Sequence, residues 1–316
     1  MRMFDDRFLN IKNSNEITVK CPAKLNLVLQ ITGKRRDGYH LLNTLMQSID
    51  LYDYVTVKKL KTENSKITIL SNYSKEIKNN ITEKFSAPAD PKKNICGKIA
   101  RKLLDKFKIK TDVKITVKKN IPIGAGLGGG SSDGAGTAKA INELFNLKLS
   151  ENEIIDVVKD IGADIPFNIT PGTAAAAGIG EKLTRLESGL FRRFRFIIIY
   201  PGIHSSTVSV YKNYKLNLTK KRDYVKMLLK CVQKGVILNE IEKYLINDLE
   251  KPAFRLYKKL EKVKTCIKNI CEKNVFMSGS GSTLFLMFDE HTNMENCYRL
   301  LKSRFQKCLI KKSVSL

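Results

Sequence analysis

No run of this 316-residue sequence is apolar for long enough to cross a bilayer. Its most apolar short stretch, FIIIY from Phe196 to Tyr200, falls far below the roughly 20 residues a spanning helix needs. The opening residues MRMFDDRFLN contain no apolar h-region of the secretory kind. These absences set a soluble, cytoplasmic protein as the expectation. The seven cysteines, an odd number, stand singly without a C-x-x-C pair; only Cys266 and Cys271 lie close together, and three histidines supply no zinc spacing. The thiols are therefore expected to be reduced and mostly buried, as in a reducing compartment. Acidic residues are also short in supply, 31 against 57 Lys and Arg, which leaves a formal charge of +26. Concentrated on one face, that excess would suit nucleic acid or an anionic membrane. It is instead spread over almost every segment, as in KEIKNN, KKRDYVK and KKLEKVK, with no basic stripe interleaved with aromatics. The expectation is a small anionic ligand, with neither nucleic acid nor membrane as partner.

The remaining composition is that of a globular chain: 42% apolar residues in 316 give room for two modest domains and a true core. Residues 17–57 read as strands around a basic turn, with ITVKCPAKLNLVLQIT before GKRRDGYH and LYDYVTVKK after it, and Asp37-Gly38 as the turn signal. Residues 72–91 form a polar excursion ahead of a helix that carries Ile99, Leu103 and Leu104. A soft boundary near 185 separates domains 1–185 and 186–316.

The densest signal is IPIGAGLGGGSSDGAG, from Ile121 to Gly136. Before it, VKITVKK (113–119) alternates like a strand; after it, Ser132 to Phe145 reads as a helix with Ala135, Ala138, Ile141, Leu144 and Phe145 on one face. Bare backbone ahead of a helix N-terminus suits phosphate, because unpaired N–H groups can approach an anion that a Cβ would hold off. Two phosphate-loop patterns fail on spacing. A Walker loop needs lysine where Gly130 stands, and the GxGxxG of Gly124, Gly126 and Gly129 is followed by NLKLSENEIIDVVKDIG, a loop and helix, rather than by a second strand with an acidic end.

Four separated stretches carry a resemblance: PAKLNLVLQITGKRRDGYHLLNTLMQSIDLYD (22–53), PIGAGLGGGSSD (122–133), IGADIPF (161–167) and MSGSGSTLF (277–285). Together they resemble the GHMP kinases, and within them the branch that phosphorylates the 2-hydroxyl of 4-diphosphocytidyl-2-C-methyl-D-erythritol in non-mevalonate isoprenoid precursor synthesis. The likeness runs in order from about residue 18 to 290. It implies an α+β protein, with a ribosomal-S5-like N-terminal domain, a ferredoxin-like C-terminal domain, and ATP and substrate in the cleft between them. ATP and Mg2+ are the implied cofactors and the cytidylyl compound the implied partner.

Residue by residue, the resemblance places ATP on Pro122, Ile123, Gly124, Ala125, Gly126, Leu127, Gly128, Gly129, Gly130, Ser131 and Ser132. Such a loop wraps phosphate with backbone N–H groups and does without a Walker lysine. The two serines read equally as helix N-caps. Asp164 in GADIPF is implied to be the base that takes the hydroxyl proton; alone it would read as a turn or capping aspartate, and Pro166 biases Ile165 towards extended backbone. Lys24 shares a strand face with Pro22 and Asn26 and would otherwise read as solvated. The resemblance sets Lys24 beside the catalytic aspartate and gives Asn26 a role in orienting substrate. Tyr39 and His40, after the Asp37-Gly38 turn, are implied to hold cytosine, with Tyr211 as a second stacking aromatic. MSGSGST reads as strand, glycine turn and strand or helix, either a plain hairpin or a third site motif. The chain departs from the family's pattern at Cys21, at Asn168, over 72–91 and over 212–245.

Overall fold

β-branched and polar residues alternate from Ile17 onward, and they build a strand that is long before anything interrupts it. In the computed structural model, which describes residues 6–62, 64–78, 86–187, 189–191, 194–216, 222–290 and 292–316, β1 (Leu9–Asn13) is followed by β2 (Glu16–Lys34) and, past the basic turn, β3 (His40–Lys59). The architecture is α+β, as the sequence implies. Backbone contacts divide it into two units that are not consecutive lengths of chain. One holds Met1–Ala23, Leu51–Ile123 and Gly128–Pro171; the other holds Lys24–Asp50, Gly124–Leu127 and Gly172–Leu316.

In the first unit β1 pairs antiparallel with the start of β2, and the end of β3 pairs antiparallel with β5 (Val113–Lys119). β5 in turn runs parallel to β4 (Ile67–Tyr73), the connection passing through α1 (Lys75–Lys78) and α2 (Ile95–Lys106). Residues 79–85 of the polar excursion lie outside the described residues. The helices α3 (Gly129–Leu144), α4 (Glu151–Val158) and α5 (Ile165–Ile169) complete the unit. Its core joins Ile17 and Val19 of β2, Val55 and Val57 of β3 and Ile115 of β5 to Ile99 and Leu103 of α2 and Ala138 and Ile141 of α3. Cys21, a departure in the sequence pattern, fits because a Cβ on Gly136 would overlap its sulfur: glycine on α3 makes room for the thiol.

In the second unit β6 (Thr173–Gly178) pairs with the start of β3 and with β7 (Lys182–Arg185). A four-stranded antiparallel sheet has the order β11-β8-β10-β9, built from β8 (Arg195–Tyr200), β9 (Phe276–Met277), β10 (Leu284–Phe288) and β11 (Leu309–Val314). The central position of β8 and β10 explains why FIIIY and LFLMF are apolar throughout: both of their faces are buried. α6 (Thr207–Lys212), α7 (Tyr224–Gln233), α8 (Leu238–Glu242), α9 (Glu250–Leu256), α10 (Lys258–Cys271) and α11 (Glu295–Arg304) belong to this unit.

Three expectations are corrected. α3 starts at Gly129 rather than Ser132, because glycines 129 and 130 adopt helical backbone once Gly128, at φ +69°, has turned the chain. Ile165 is helical rather than extended: Pro166 sits in the opening turn of α5, where its missing N–H breaks no helical bond. The cysteines are not all reduced, since α10 and α11 bring Cys271 and Cys297 together, with Cα atoms 5.3 Å apart, in a disulfide. Of the other five, Cys21 and Cys96 are buried and Cys231, Cys266 and Cys308 half-buried.

Candidate active site

The loop from Gly124 to Leu127 lies in the second unit, and each of its four carbonyls accepts a hydrogen bond. Ser205 N–H donates to Gly124 O at 3.1 Å, Thr283 N–H to Ala125 O at 3.1 Å, and Lys24 N–H to Leu127 O at 2.9 Å. Gly126 O takes the Ser278 hydroxyl at 2.9 Å. In a trans peptide the N–H points opposite the C=O, so fixing these carbonyls turns the N–H groups of Ala125, Gly126, Leu127 and Gly128 to the other side. Left-handed φ at Gly124 (+64°), Gly126 (+77°) and Gly128 (+69°) makes that arrangement possible, and a Cβ on Gly126 would overlap the Ser278 carbonyl. The loop is a row of oriented donors.

The helix that follows keeps its own donors open. α2, α4, α6 and α7 each have a side chain capping the N-terminus, from Asn94, Ser150, Ser206 and Asp223 respectively. α3 has Gly128 there, no side-chain cap and no acidic residue in its first turn. Its first N–H groups and its dipole are therefore available to an anion. Ser131 and Ser132 lie within the first turn and do not cap it. The Ser132 hydroxyl is buried and has no hydrogen-bond partner among the described residues.

Beneath this turn the first unit buries three ionisable side chains. Lys119, at the end of β5, is paired with Asp53 and, at 2.6 Å, with Asp133. Asp53 also accepts the N–H groups of Asn120, at 2.5 Å, and Ile121, at 2.8 Å, the residues that lead into the loop. Burial works against the Lys119 charge, but Asp133 and Asp53 outweigh it and hold the ammonium above its ordinary range. Burial, reinforced by the neighbouring Asp53 charge, raises the Asp133 carboxyl well above its ordinary value against the pull of Lys119. Lys119 is thus held as a cation, and the Asp133 carboxyl is biased towards its protonated form.

The other residues that the resemblance singles out fall into groups. In the second unit Lys24, only 4% exposed, donates to Asn26 Oδ1 at 2.5 Å, and Asn26 donates onward to the Thr44 hydroxyl at 3.0 Å. Asn26 N–H also reaches the Ser278 hydroxyl at 3.2 Å, so MSGSGST is tied both to the PAKLNL strand and to the glycine loop. That stretch is a hairpin turn between β9 and β10. The His40 and Tyr211 rings approach to 5.2 Å between centroids, and Tyr214 meets His40 edge-on at 5.9 Å. Burial, with the charge of Lys34, lowers the His40 pKa, so its imidazole is neutral at pH 7. Tyr39 stands on the basic turn and is 61% exposed. In the first unit Asp164 is half-buried at the N-terminus of α5, and Asn168, the departure next to it, donates to the Asp164 carbonyl at 2.6 Å.

Sequence reasoning missed Asp53, Lys119, Asp133, Ser205 and Thr283 as parts of the candidate site. Asp53 and Asp133 close two of the matched stretches and could have been noticed. Lys119 is one lysine among many, and its pairing with Asp53 and Asp133 emerges only in the fold.

Residues 94–178 match the GHMP kinases N terminal domain and residues 234–307 the GHMP kinases C terminal domain. A 4-diphosphocytidyl-2-C-methyl-D-erythritol kinase of Clostridium botulinum (strain Langeland) is 34% identical over 295 residues, 93% of this chain and 99% of the relative. Its counterpart in Caldicellulosiruptor saccharolyticus is 37% identical over 271 residues, 85% of this chain and 87% of the relative. A crystal structure of a 4-(cytidine 5'-diphospho)-2C-methyl-D-erythritol kinase superposes with a TM-score of 0.70 at 26% identity, covering 94% of this chain and 99% of that one.

Proposed function

The chain belongs to the GHMP kinases, among the 4-diphosphocytidyl-2-C-methyl-D-erythritol kinases, and from that premise we propose how its residues share the reaction. The enzyme transfers the γ-phosphoryl group of ATP to the 2-hydroxyl of the cytidylyl sugar alcohol, in non-mevalonate isoprenoid precursor synthesis. The observation that carries the assignment of the nucleotide site is the loop from Gly124 to Leu127, with every carbonyl engaged, running into an uncapped helix. Residues 122–132 bind the triphosphate through backbone donors, which supply alignment and charge neutralisation, the main demands of phosphoryl transfer. Mg2+ would accompany the triphosphate and neutralise its charge. The Ser132 hydroxyl, buried and without a hydrogen-bond partner among the described residues, is an oxygen of the kind Mg2+ takes and would be the residue to hold the ion.

Asp164 accepts the proton of the 2-hydroxyl, an assistance worth roughly 10² to 10⁴ in rate. Lys24 stabilises negative charge as that proton leaves, and Asn26, bonded to Lys24, orients the acceptor. Tyr39, exposed on its turn, stacks on cytosine, and the neutral His40 imidazole reads the base edge with a donor and an acceptor. Tyr211, already against His40, lines the same site. The domain division at about 185 is supported by the two separate family matches. Dispersed lysines support a small anionic acceptor over nucleic acid as partner. Among the described residues no helix is long and apolar enough to cross a membrane, and we place the enzyme in the cytoplasm.

The test is a coupled ADP-release assay with cytidylyl and uridylyl acceptors, homoserine and mevalonate. The cytidylyl compound should be used far faster than the others, and Asp164→Asn should still bind ATP while losing most turnover. Equal use of cytosine and uracil forms would remove His40 as the base reader. Full turnover by Asp164→Asn would remove the base.

A further inference from the structure

We propose that His204 is a positioning residue of the phosphate loop: its imidazole, lying against the Cα of Gly124, holds the first loop peptide in the shape that receives the nucleotide. This rests on the reading of residues 122–132 as the ATP loop.

A methyl group built on Gly124 would overlap the His204 ring at Cδ2 and Nε2 and reach Cε1 at 3.0 Å. The ring thus occupies the space a side chain would take. Glycine at φ +64° has more alternative conformations open to it than any other residue, and it must be confined if the carbonyl of 124 is to keep its bond to Ser205 N–H. The backbone on both sides of His204 is itself fastened. Ile203 O accepts the Ser282 hydroxyl, Ser205 Oγ donates to Ser280 O at 2.7 Å, and the Thr207 and Ser280 hydroxyls are 2.9 Å apart. Ser278 and Thr283, from the same turn, hold Gly126 O and Ala125 O. One hydrogen-bonded knot therefore joins the loop, the 203–207 segment and the hairpin turn, and within it the His204 ring is the group that covers Gly124. Burial lowers the His204 pKa, with a hydrogen bond to its own backbone opposing, so the ring acts at neutral pH through shape rather than charge.

A loop confined before the nucleotide arrives loses less freedom on binding and so binds more tightly. His204→Ala should weaken a non-hydrolysable ATP analogue about fivefold, the equivalent of ordering one short segment. kcat at saturating ATP and KM for the cytidylyl acceptor should stay within about twofold. His204→Phe keeps a planar ring against Gly124 and should restore wild-type affinity. Gly124→Ala should bind poorly, and combining it with His204→Ala should be less harmful than the two losses multiplied, because the methyl group then has somewhere to go. Calorimetric titration of the analogue with wild type and the four variants, with melting temperatures as the folding control, reads all of this. Unchanged affinity in His204→Ala overturns the proposal. So does failure of His204→Phe to rescue, which would mean that a ring nitrogen touches the ligand itself, and so does strict additivity in the double variant. Wild type that does not bind the analogue would overturn the loop reading, and the proposal with it.

Discussion

The two halves of the glycine loop are fixed by opposite kinds of chemistry. Gly124 to Leu127 are held in the second unit by neutral hydrogen bonds to four carbonyls. The turn from Gly128 to Asp133 belongs to the first unit, where a dry cluster of Lys119, Asp53 and Asp133 ties the end of β5, the strand β3 and the second turn of α3 together. Neutral acceptor bonds orient a backbone without adding charge near its donors, so the N–H groups keep their full attraction for phosphate. A buried ion cluster acts over three segments at once, but each member depends on the others, since an unpaired buried charge is far more costly than a missing neutral bond. The first half should therefore fail locally, in ligand affinity, and the second globally, in stability.

The largest effect should come from breaking the cluster. Lys119→Met leaves the two carboxyls without their cation and should destabilise the protein by roughly 3–5 kcal/mol. Urea unfolding measures this, and a loss below about 1 kcal/mol would place the cluster in solvent. Next comes the junction between the halves. Gly128→Val forces a β-branched residue to φ +69°, strain of about 1–3 kcal/mol, and sets methyl groups beside the donors. Titration with the ATP analogue should show at least a tenfold loss, and unchanged affinity in a folded variant would make the loop purely structural. Ser278→Ala touches only the neutral half. It removes the donor to Gly126 O and strands Asn26 N–H, for about 1–3 kcal/mol, seen as weaker nucleotide binding with less change in melting temperature than Lys119→Met gives. The reverse ranking would erase the contrast between the halves.

The smallest effect sharpens the protonation state of the cluster. Folding raises the Asp133 carboxyl from an ordinary value of 3.8, so the folded protein holds a proton that the unfolded chain releases above about pH 4. That contribution is complete below the unfolded pKa and is lost as pH rises through the folded one. Asp133→Asn imitates the protonated form. It should change stability at pH 4 by less than about 1 kcal/mol and flatten the decline above it, a slope of at most about 1.4 kcal/mol per pH unit. A steeper decline in the variant would assign the proton elsewhere.

Much of the fold was legible because it follows from periodicity. VKITVKK is β5 over the same seven residues, and the alternation from Ile17 gave β2. Ser150 and Glu153 form the capping box that opens α4 within the segment read as a helix. The start of α3 differs from the expectation because glycines 129 and 130 look like loop by propensity, whereas Gly129 packs against Ile121 and Asp53 and Gly130 follows it into the helix. The Cys271–Cys297 pairing was invisible because the residues are 26 positions apart and meet only through the packing of two helices. A thiol titration of the unfolded protein should find five free groups if the bond persists, and seven if it has been reduced.

Sequence by itself determined the residue types of the candidate site: a bare loop that can accept phosphate, an aspartate two residues before a proline, a lysine and asparagine two apart on one strand, and an aromatic-histidine pair after a turn. Each is a local pattern, set by backbone freedom and side-chain chemistry over a few positions. Tertiary structure alone decided which of them are held and by what. Asn26, Ser278 and Gly126 form a chain of bonds across 252 positions, Lys119 is the one lysine of the cluster with Asp53 and Asp133, and His204 lies on Gly124. Such pairings depend on burial and distance, which make a buried charge or an unsatisfied carbonyl costly enough to select its partner, and neither quantity exists until the chain has folded.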